Sequence, residues 1–188
     1  GVVTMDPDTG WINVGNYRGQ IFDSKHLGCY VLVMPYRHIH SHWDKWKAMG
    51  KPMPVCVVLG QDPYVNLTSV SAVPYGVDEY DIAGALKGSP IEVVKAELSD
   101  LKVPAHAEII IEGTMPIDKF WPEEAPFGEF PGYMGQVIKN SFYIDIQKVT
   151  HRKNPIFHGT YEGRPPSEST TVRSMGRSAA MWEHLRRA

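Results

Sequence analysis

Three short stretches of the 188-residue chain carry side chains suited to chemistry. The first is Asn13-Val14-Gly15-Asn16-Tyr17-Arg18. A glycine-containing loop that runs into a strand can bring backbone amides close to a phosphate. Arg18 can grip a carboxylate or phosphate through two parallel hydrogen bonds. Taken alone, the same residues also describe a turn followed by a surface arginine. The second stretch is His38-Ile39-His40-Ser41-His42. Alternating histidines suggest metal ligands, but on a helix only His38 and His42 share a face. A three-histidine zinc site is therefore not expected, while one histidine acting with ligands from elsewhere stays open. The third is Glu123-Glu124-Ala125-Pro126-Phe127-Gly128-Glu129. Here Glu124 and Glu129 flank an apolar segment stiffened by proline and glycine. A carboxylate held beside rings such as Phe127 and Phe130 is pushed towards the neutral form and can act as a general acid. The plainer reading of this stretch is an exposed acidic loop.

The elements that must position these residues are mostly strands. Pro7-Asp8-Thr9-Gly10 is a turn. Residues 16–24 and 27–34 read as two strands joined at Ser24-Lys25-His26. From His38 to Met49 the spacing of Trp43, Trp46 and Met49 is helical, and Gly50 closes the helix. Residues 54–59 are a short apolar strand, 64–76 a loop, and 77–86 a short helix ending at Lys87-Gly88. Strands follow at 91–97 and 108–112. The stretch 116–135, rich in proline, glycine and aromatics, reads as one long functional loop. Residues 141–150 and 155–160 read as a hairpin around Arg152-Lys153-Asn154. The last helix, capped by Thr170 or Thr171, carries Val172, Met175, Ala179, Trp182 and Leu185 on one face, which calls for a packing partner.

These elements make one domain, residues 1–188, of mostly-β α+β class, as an antiparallel barrel or sandwich with a few helices. A hydrophobic content of 43% is enough to bury a core. The charges are scattered and sum to −2, with no basic stripe for nucleic acid. No apolar run approaches the ~18 residues of a membrane span. No signal peptide opens the chain, and its start at Gly1-Val2-Val3-Thr4 reads like the middle of a larger protein. Cys29 and Cys56 fall in predicted strands; a disulfide stays open, and buried thiols of a cytoplasmic protein are the plainer reading.

The ordered series of motifs resembles the UbiD family of aromatic-acid decarboxylases. It comprises Asn13…Tyr17-Arg18, Gly76-Val77-Asp78-Glu79-Tyr80…Ala83-Gly84, Glu92-Val93-Val94-Lys95, Val103-Pro104-Ala105…Ala107-Glu108-Ile109, Ala125-Pro126-Phe127-Gly128-Glu129…Gly132-Tyr133 and Gly163-Arg164-Pro165-Pro166. The resemblance runs from about Gly10 to Arg177. It implies a central split β-barrel akin to flavin reductases, and prenylated FMN as cofactor, supplied by a separate flavin prenyltransferase. It also implies a divalent metal, usually Mn²⁺, with K⁺ nearby. By resemblance the metal ligands are Asn13, His38 and Glu79. Asn16, Tyr17, Arg18, Arg37, His38, Ser69, Val70 and Pro74 surround the cofactor. His40 and His42 are then ordinary helix residues.

The family's Arg-Glu-Glu trio maps to Arg18, Glu124 and Glu129. The implied reaction is reversible non-oxidative decarboxylation of an aromatic acid, hydroxybenzoates included, through an adduct with the prenylated flavin. Arg18 would orient the substrate carboxylate and Glu129 would exchange the proton. Two departures stand out. Ala125 replaces a usual glycine, and Glu123 beside Glu124 leaves the partner of Arg18 open between them. The family's N-terminal α/β domain and its C-terminal domain are absent from the sequence. Full-length relatives form homo-oligomers, and the alternative reading is a flavin-binding module inactive without those domains.

Overall fold

The computed structural model describes residues 1–31, 37–129 and 131–187. The elements are β1 (Val2–Met5), β2 (Ile12–Gly15), β3 (His26–Gly28), α1 (His38–Ala48), β4 (Met53–Leu59), α2 (Pro63–Ser69) and α3 (Glu79–Lys87). They continue with β5 (Val93–Lys95), β6 (Lys102–Pro104), β7 (Ile109–Met115), β8 (Trp121–Glu124), β9 (Ile138–Ser141), β10 (Tyr143–His151) and α4 (Glu168–Arg187). One six-stranded sheet runs β2-β1-β4-β7-β10-β3, and two small hairpins, β5–β6 and β8–β9, flank it. The pairings are antiparallel. The mostly-β α+β class is therefore as expected.

Both faces of the central strands are covered, and strand periodicity assigns each residue to a face. Val3 pairs with Val14 on one side and Cys56 on the other. These three share a core with Val65, Tyr80, Ala83, Leu101 and Val103, from α2, α3 and the β5–β6 region. The alternate residues Val2, Met53 and Val55 pack with Ile39 and Trp43 of α1 and with Met115, Phe142 and Ile144. The unbroken apolar run of β4 is what a strand buried on both faces requires. Cys29 and Cys56 are buried free thiols in different cores, as expected.

The helices start and stop on local chemistry. Asp62 accepts the Tyr64 N–H at 2.9 Å with Pro63 in the first turn of α2, and Asp78 accepts the Tyr80 N–H at 2.9 Å to open α3. Gly88, with φ 78°, closes α3 in the left-handed region that a side chain disfavours.

Several expectations about elements need correction. Residues 64–76 are not all loop, because the Asp62-Pro63 pair nucleates α2. Residues 16–24 form no extended strand. They run beside β3 through Arg18 O to Tyr30 N–H at 2.9 Å, Gln20 O to Gly28 N–H at 2.7 Å and an isolated bridge of Ile21 with Leu27. The expected strand 27–34 lies partly outside the described residues, in 32–36. The expected strand 91–97 shortens to β5. The expected loop 116–135 contains β8, which pairs with β9. Residues 155–160 form no strand. β10 takes β7 and β3 as its neighbours instead. Ser167, rather than Thr170 or Thr171, caps α4, its hydroxyl accepting the Thr170 N–H at 3.3 Å. On the expected apolar face of α4, Met175, Trp182 and Leu185 are exposed.

Candidate active site

A cavity of about 760 Å³ opens where β2, the N-terminus of α1, the C-terminus of α2 and the start of α3 converge. Its wall includes Asn13, Asn16, Tyr17, Arg18, Arg37, His38, Ser69, Val70, Glu79 and Glu129. Ten expected site residues, distant in sequence, thus share one space.

The end formed by Asn13, His38 and Glu79 has the donors for a cation. Asn13 is buried in edge strand β2, next to the Tyr17 hydroxyl. Glu79, the first residue of α3, is also buried, and its Oε2 accepts the Val14 N–H at 2.8 Å. Burial raises the Glu79 carboxyl to about 7. Burial and then the Arg37 charge lower the pKa of His38, which favours the neutral imidazole that ligates metals. A buried carboxylate, the side-chain carbonyl oxygen of Asn13 and an imidazole biased to its neutral form are ligand types suited to a hard or borderline divalent ion. Among the described residues, no three His, Cys, Asp or Glu side chains gather as a metal site, so such an ion would depend on the Asn13 amide.

Next to this end, the backbone supplies polar groups. The Asn16 N–H donates to Ser69 O at 3.1 Å, tying the loop after β2 to the end of α2. Gly15 is needed for close approach, since a Cβ there would overlap the Tyr17 ring. Burial pushes the Tyr17 hydroxyl up to about 12, so it stays protonated as a donor. Ala72 and Val73 line the cavity, whereas Pro74 lies beyond the lining and accepts the Val77 N–H at 3.2 Å.

At the other end, Arg18 is held between two carboxylates. Its Nη2 donates to Glu124 Oε2 at 3.0 Å and its Nη1 to Glu129 Oε1 at 2.6 Å. The guanidinium lies 3.9 Å from the Tyr30 ring centroid and 5.2 Å from that of Phe127. The two carboxylates differ in burial: the Glu124 side chain is 0% exposed and that of Glu129 is 40% exposed. Glu124 ends β8, while Glu129 sits in a tight loop where its N–H donates to Tyr133 O at 2.7 Å. The pairing ambiguity resolves by strand alternation: Glu123 points outward to Lys139 and Glu124 inward to Arg18.

His40 pairs with Asp44 at 3.2 Å, and His42 is buried against Thr4 Oγ1 at 3.0 Å, so neither lines the cavity. Tyr133 is 76% exposed and lies outside the lining, and Phe130 is outside the described residues. Sequence reasoning missed Tyr30, Glu162, Arg173 and Arg177, all of which line the cavity. The four-residue spacing of Arg173 and Arg177 on α4 was the available signal. Nothing local marked Tyr30.

Comparison with known proteins agrees with the fold. The fold is shared with nitrilotriacetate monooxygenase component B from Bacillus cereus, at TM-score 0.51 and 13% identity over 84% of this chain and 72% of that one. This likeness defines a fold class alone. Residues 1–165 match the model described as the 3-octaprenyl-4-hydroxybenzoate carboxy-lyase Rift-related domain, and the chain belongs to that family, UbiD. It is 37% identical over 192 residues to a phenolic acid decarboxylase of Sedimentibacter hydroxybenzoicus, covering 98% of this chain and 39% of that protein. It also superposes, with TM-score 0.88 and 35% identity, on an evolved dimeric form of the UbiD-class enzyme HmfF from Pelotomaculum thermopropionicum in complex with prFMN. That match covers 99% of this chain and 42% of the other. The chain therefore spans about two fifths of the length of these relatives.

Proposed function

We propose that this chain forms the cofactor-binding and catalytic region of a reversible, non-oxidative decarboxylase of aromatic acids that uses prenylated FMN. The observation that carries the proposal is Arg18 poised between buried Glu124 and accessible Glu129 on the wall of a cofactor-sized cavity. Family membership and the prFMN held by the HmfF relative support it. In this reading the six-stranded sheet and its hairpins serve as the family's split β-barrel, which the likeness to a flavin-reductase-type fold supports.

Asn13, His38 and Glu79 would hold a divalent ion, Mn²⁺ in this reading with K⁺ nearby, against the cofactor phosphate. Asn16, Tyr17, Arg37, Ser69 and Val70 would line the cofactor. When bound, the prenylated flavin supplies the electron sink that lets CO₂ leave. The remaining work falls to the trio. A substrate carboxylate takes the place of Glu129 on Arg18 Nη1, while buried Glu124 holds Nη2 and fixes the guanidinium plane. Glu129 is thereby released. Being exposed, it exchanges protons with water and delivers one to the substrate carbon, or removes it in the reverse direction. The rings of Tyr30 and Phe127 keep water from the departing carboxylate.

The substrate is a small aromatic acid, and the cofactor comes from a flavin prenyltransferase. The buried free thiols Cys29 and Cys56 favour a cytoplasmic setting. The dimeric HmfF form favours a homo-oligomer for the full-length protein. Among the described residues, no helix is long and apolar enough to cross a membrane. The share of its relatives that the chain spans favours a second reading, a flavin-holding module without turnover of its own. Reconstitution with prenylated FMN and Mn²⁺ separates the two. The first reading predicts a prenylated-flavin absorbance spectrum and CO₂ release from a panel of aromatic acids. Cofactor uptake without CO₂ release supports the second, and ordinary FMN alone in the cavity overturns the cofactor assignment.

A further inference from the structure

Arg18, Gln20 and Phe22 alternate along one extended segment. Arg18 O accepts the Tyr30 N–H at 2.9 Å and Gln20 O accepts the Gly28 N–H at 2.7 Å, a ladder-like repeat that gives residues 18, 20 and 22 a common face. Three side-chain contacts join that segment to β8 and the residue after it. Phe22 stacks on Trp121, with centroids 4.5 Å apart and planes 3° from parallel. Gln20 Oε1 accepts the Ala125 N–H at 2.8 Å. Arg18 Nη2 reaches Glu124 at 3.0 Å. The contact of Gln20 is the informative one. Ala125 follows Glu124 directly, at the point where β8 ends and its N–H leaves the ladder with β9. Gln20 alone joins that amide to the segment bearing Arg18, two residues away, while its own carbonyl is anchored to β3 at the edge of the main sheet.

We infer that Gln20 is a positioning residue, whose side-chain carbonyl sets the register of Glu124 against Arg18. The inference rests on the decarboxylase reading for its effect on turnover, but not for its geometry. Without this bond, the backbone at Ala125 is free to shift and the buried carboxylate of Glu124 moves relative to the guanidinium. A misplacement of this kind lowers kcat more than it affects binding.

The test uses two variants of the full-length protein, loaded with cofactor. Gln20→Met keeps the volume and removes the acceptor; Gln20→Glu keeps the acceptor. The Met variant should lower kcat about tenfold, with KM, melting temperature and cofactor content little changed. The Glu variant should restore kcat to near that of the parent. Independently of turnover, the Arg18 guanidinium NMR signals and the hydrogen exchange of the Ala125 amide should change in the Met variant and not in the Glu variant. Unchanged guanidinium and amide signals in the Met variant, or equal effects of Met and Glu, overturn the role of Gln20. Altered signals in the Met variant alone, in a protein whose parent releases no CO₂, uphold the role and count against the decarboxylase reading instead.

Discussion

Arg18 is a structural counter-charge, and in the proposed function also the group that recognises the substrate carboxylate. Its partner Glu124 has no solvent exposure, and the second carboxylate oxygen, Oε1, is buried without a hydrogen-bond partner. Removing the cation would leave a buried charge uncompensated, a change that costs about 3–5 kcal/mol. Arg18→Ala should therefore lose turnover and also lower the unfolding free energy in urea by about 3 kcal/mol. A variant as stable as the parent would show that Glu124 does not depend on Arg18. His42 gives a second prediction at this scale. Burial, as the main cause, lowers its pKa from 6.5 to about 4. Between these values the unfolded chain carries the proton and the folded chain does not, so unfolding takes up a proton. The resulting stabilisation is full above pH 6.5 and is lost as pH falls towards 4. The urea midpoint should fall across that window, and the His42 ring signals should stay neutral until its lower end. A His42 that titrates near 6.5 contradicts the assignment.

At the scale of elements, β7 holds the sheet together because it pairs with both β4 and β10. Gly113 sits where β10 bulges, with a register shift between Ile146 and Lys148. A Cβ at Gly113 would overlap the Asp145 carbonyl oxygen. Gly113→Ala should lower stability by about 2 kcal/mol, within the usual range for overpacking, measured as a reduced urea midpoint with an unchanged m-value. An unaffected midpoint would mean that the two strands can separate freely here. Legibility in the sequence follows the same physics. α1 was readable because Trp43, Trp46 and Met49 recur at helical spacing before Gly50, and β4 because its run is apolar throughout. α2 was hidden because its short polar sequence looks like a loop until Asp62 is recognised as a cap. β8 and β9 were hidden because each is four residues long, and the pairing that makes them strands joins residues 14 or more apart. The hairpin expected at 155–160 failed for the converse reason: adjacency in sequence suggested a partner, but the end of β10 nearest that segment, residues 148–151, pairs with β7.

At the scale of the whole molecule, the cavity depends on long-range closure. Arg18 meets Glu124 and Glu129 across more than a hundred residues, and Val14 meets Glu79 across sixty-five. Periodicity cannot reveal such meetings, and only the ordered family resemblance anticipated them. The same resemblance was silent on the buried-versus-exposed difference between Glu124 and Glu129, which fits the separate duties of the proposed function. Central to the proposed function is that Glu129 moves the proton while Glu124 orients Arg18 and Arg18 holds the substrate carboxylate. Deuterium exchange at the substrate carbon, in D₂O with the full-length protein loaded with prenylated FMN, measures that step directly. Glu129→Gln should abolish both exchange and CO₂ release while leaving cofactor content unchanged. Exchange that persists in the Gln variant at the parent rate would contradict the account.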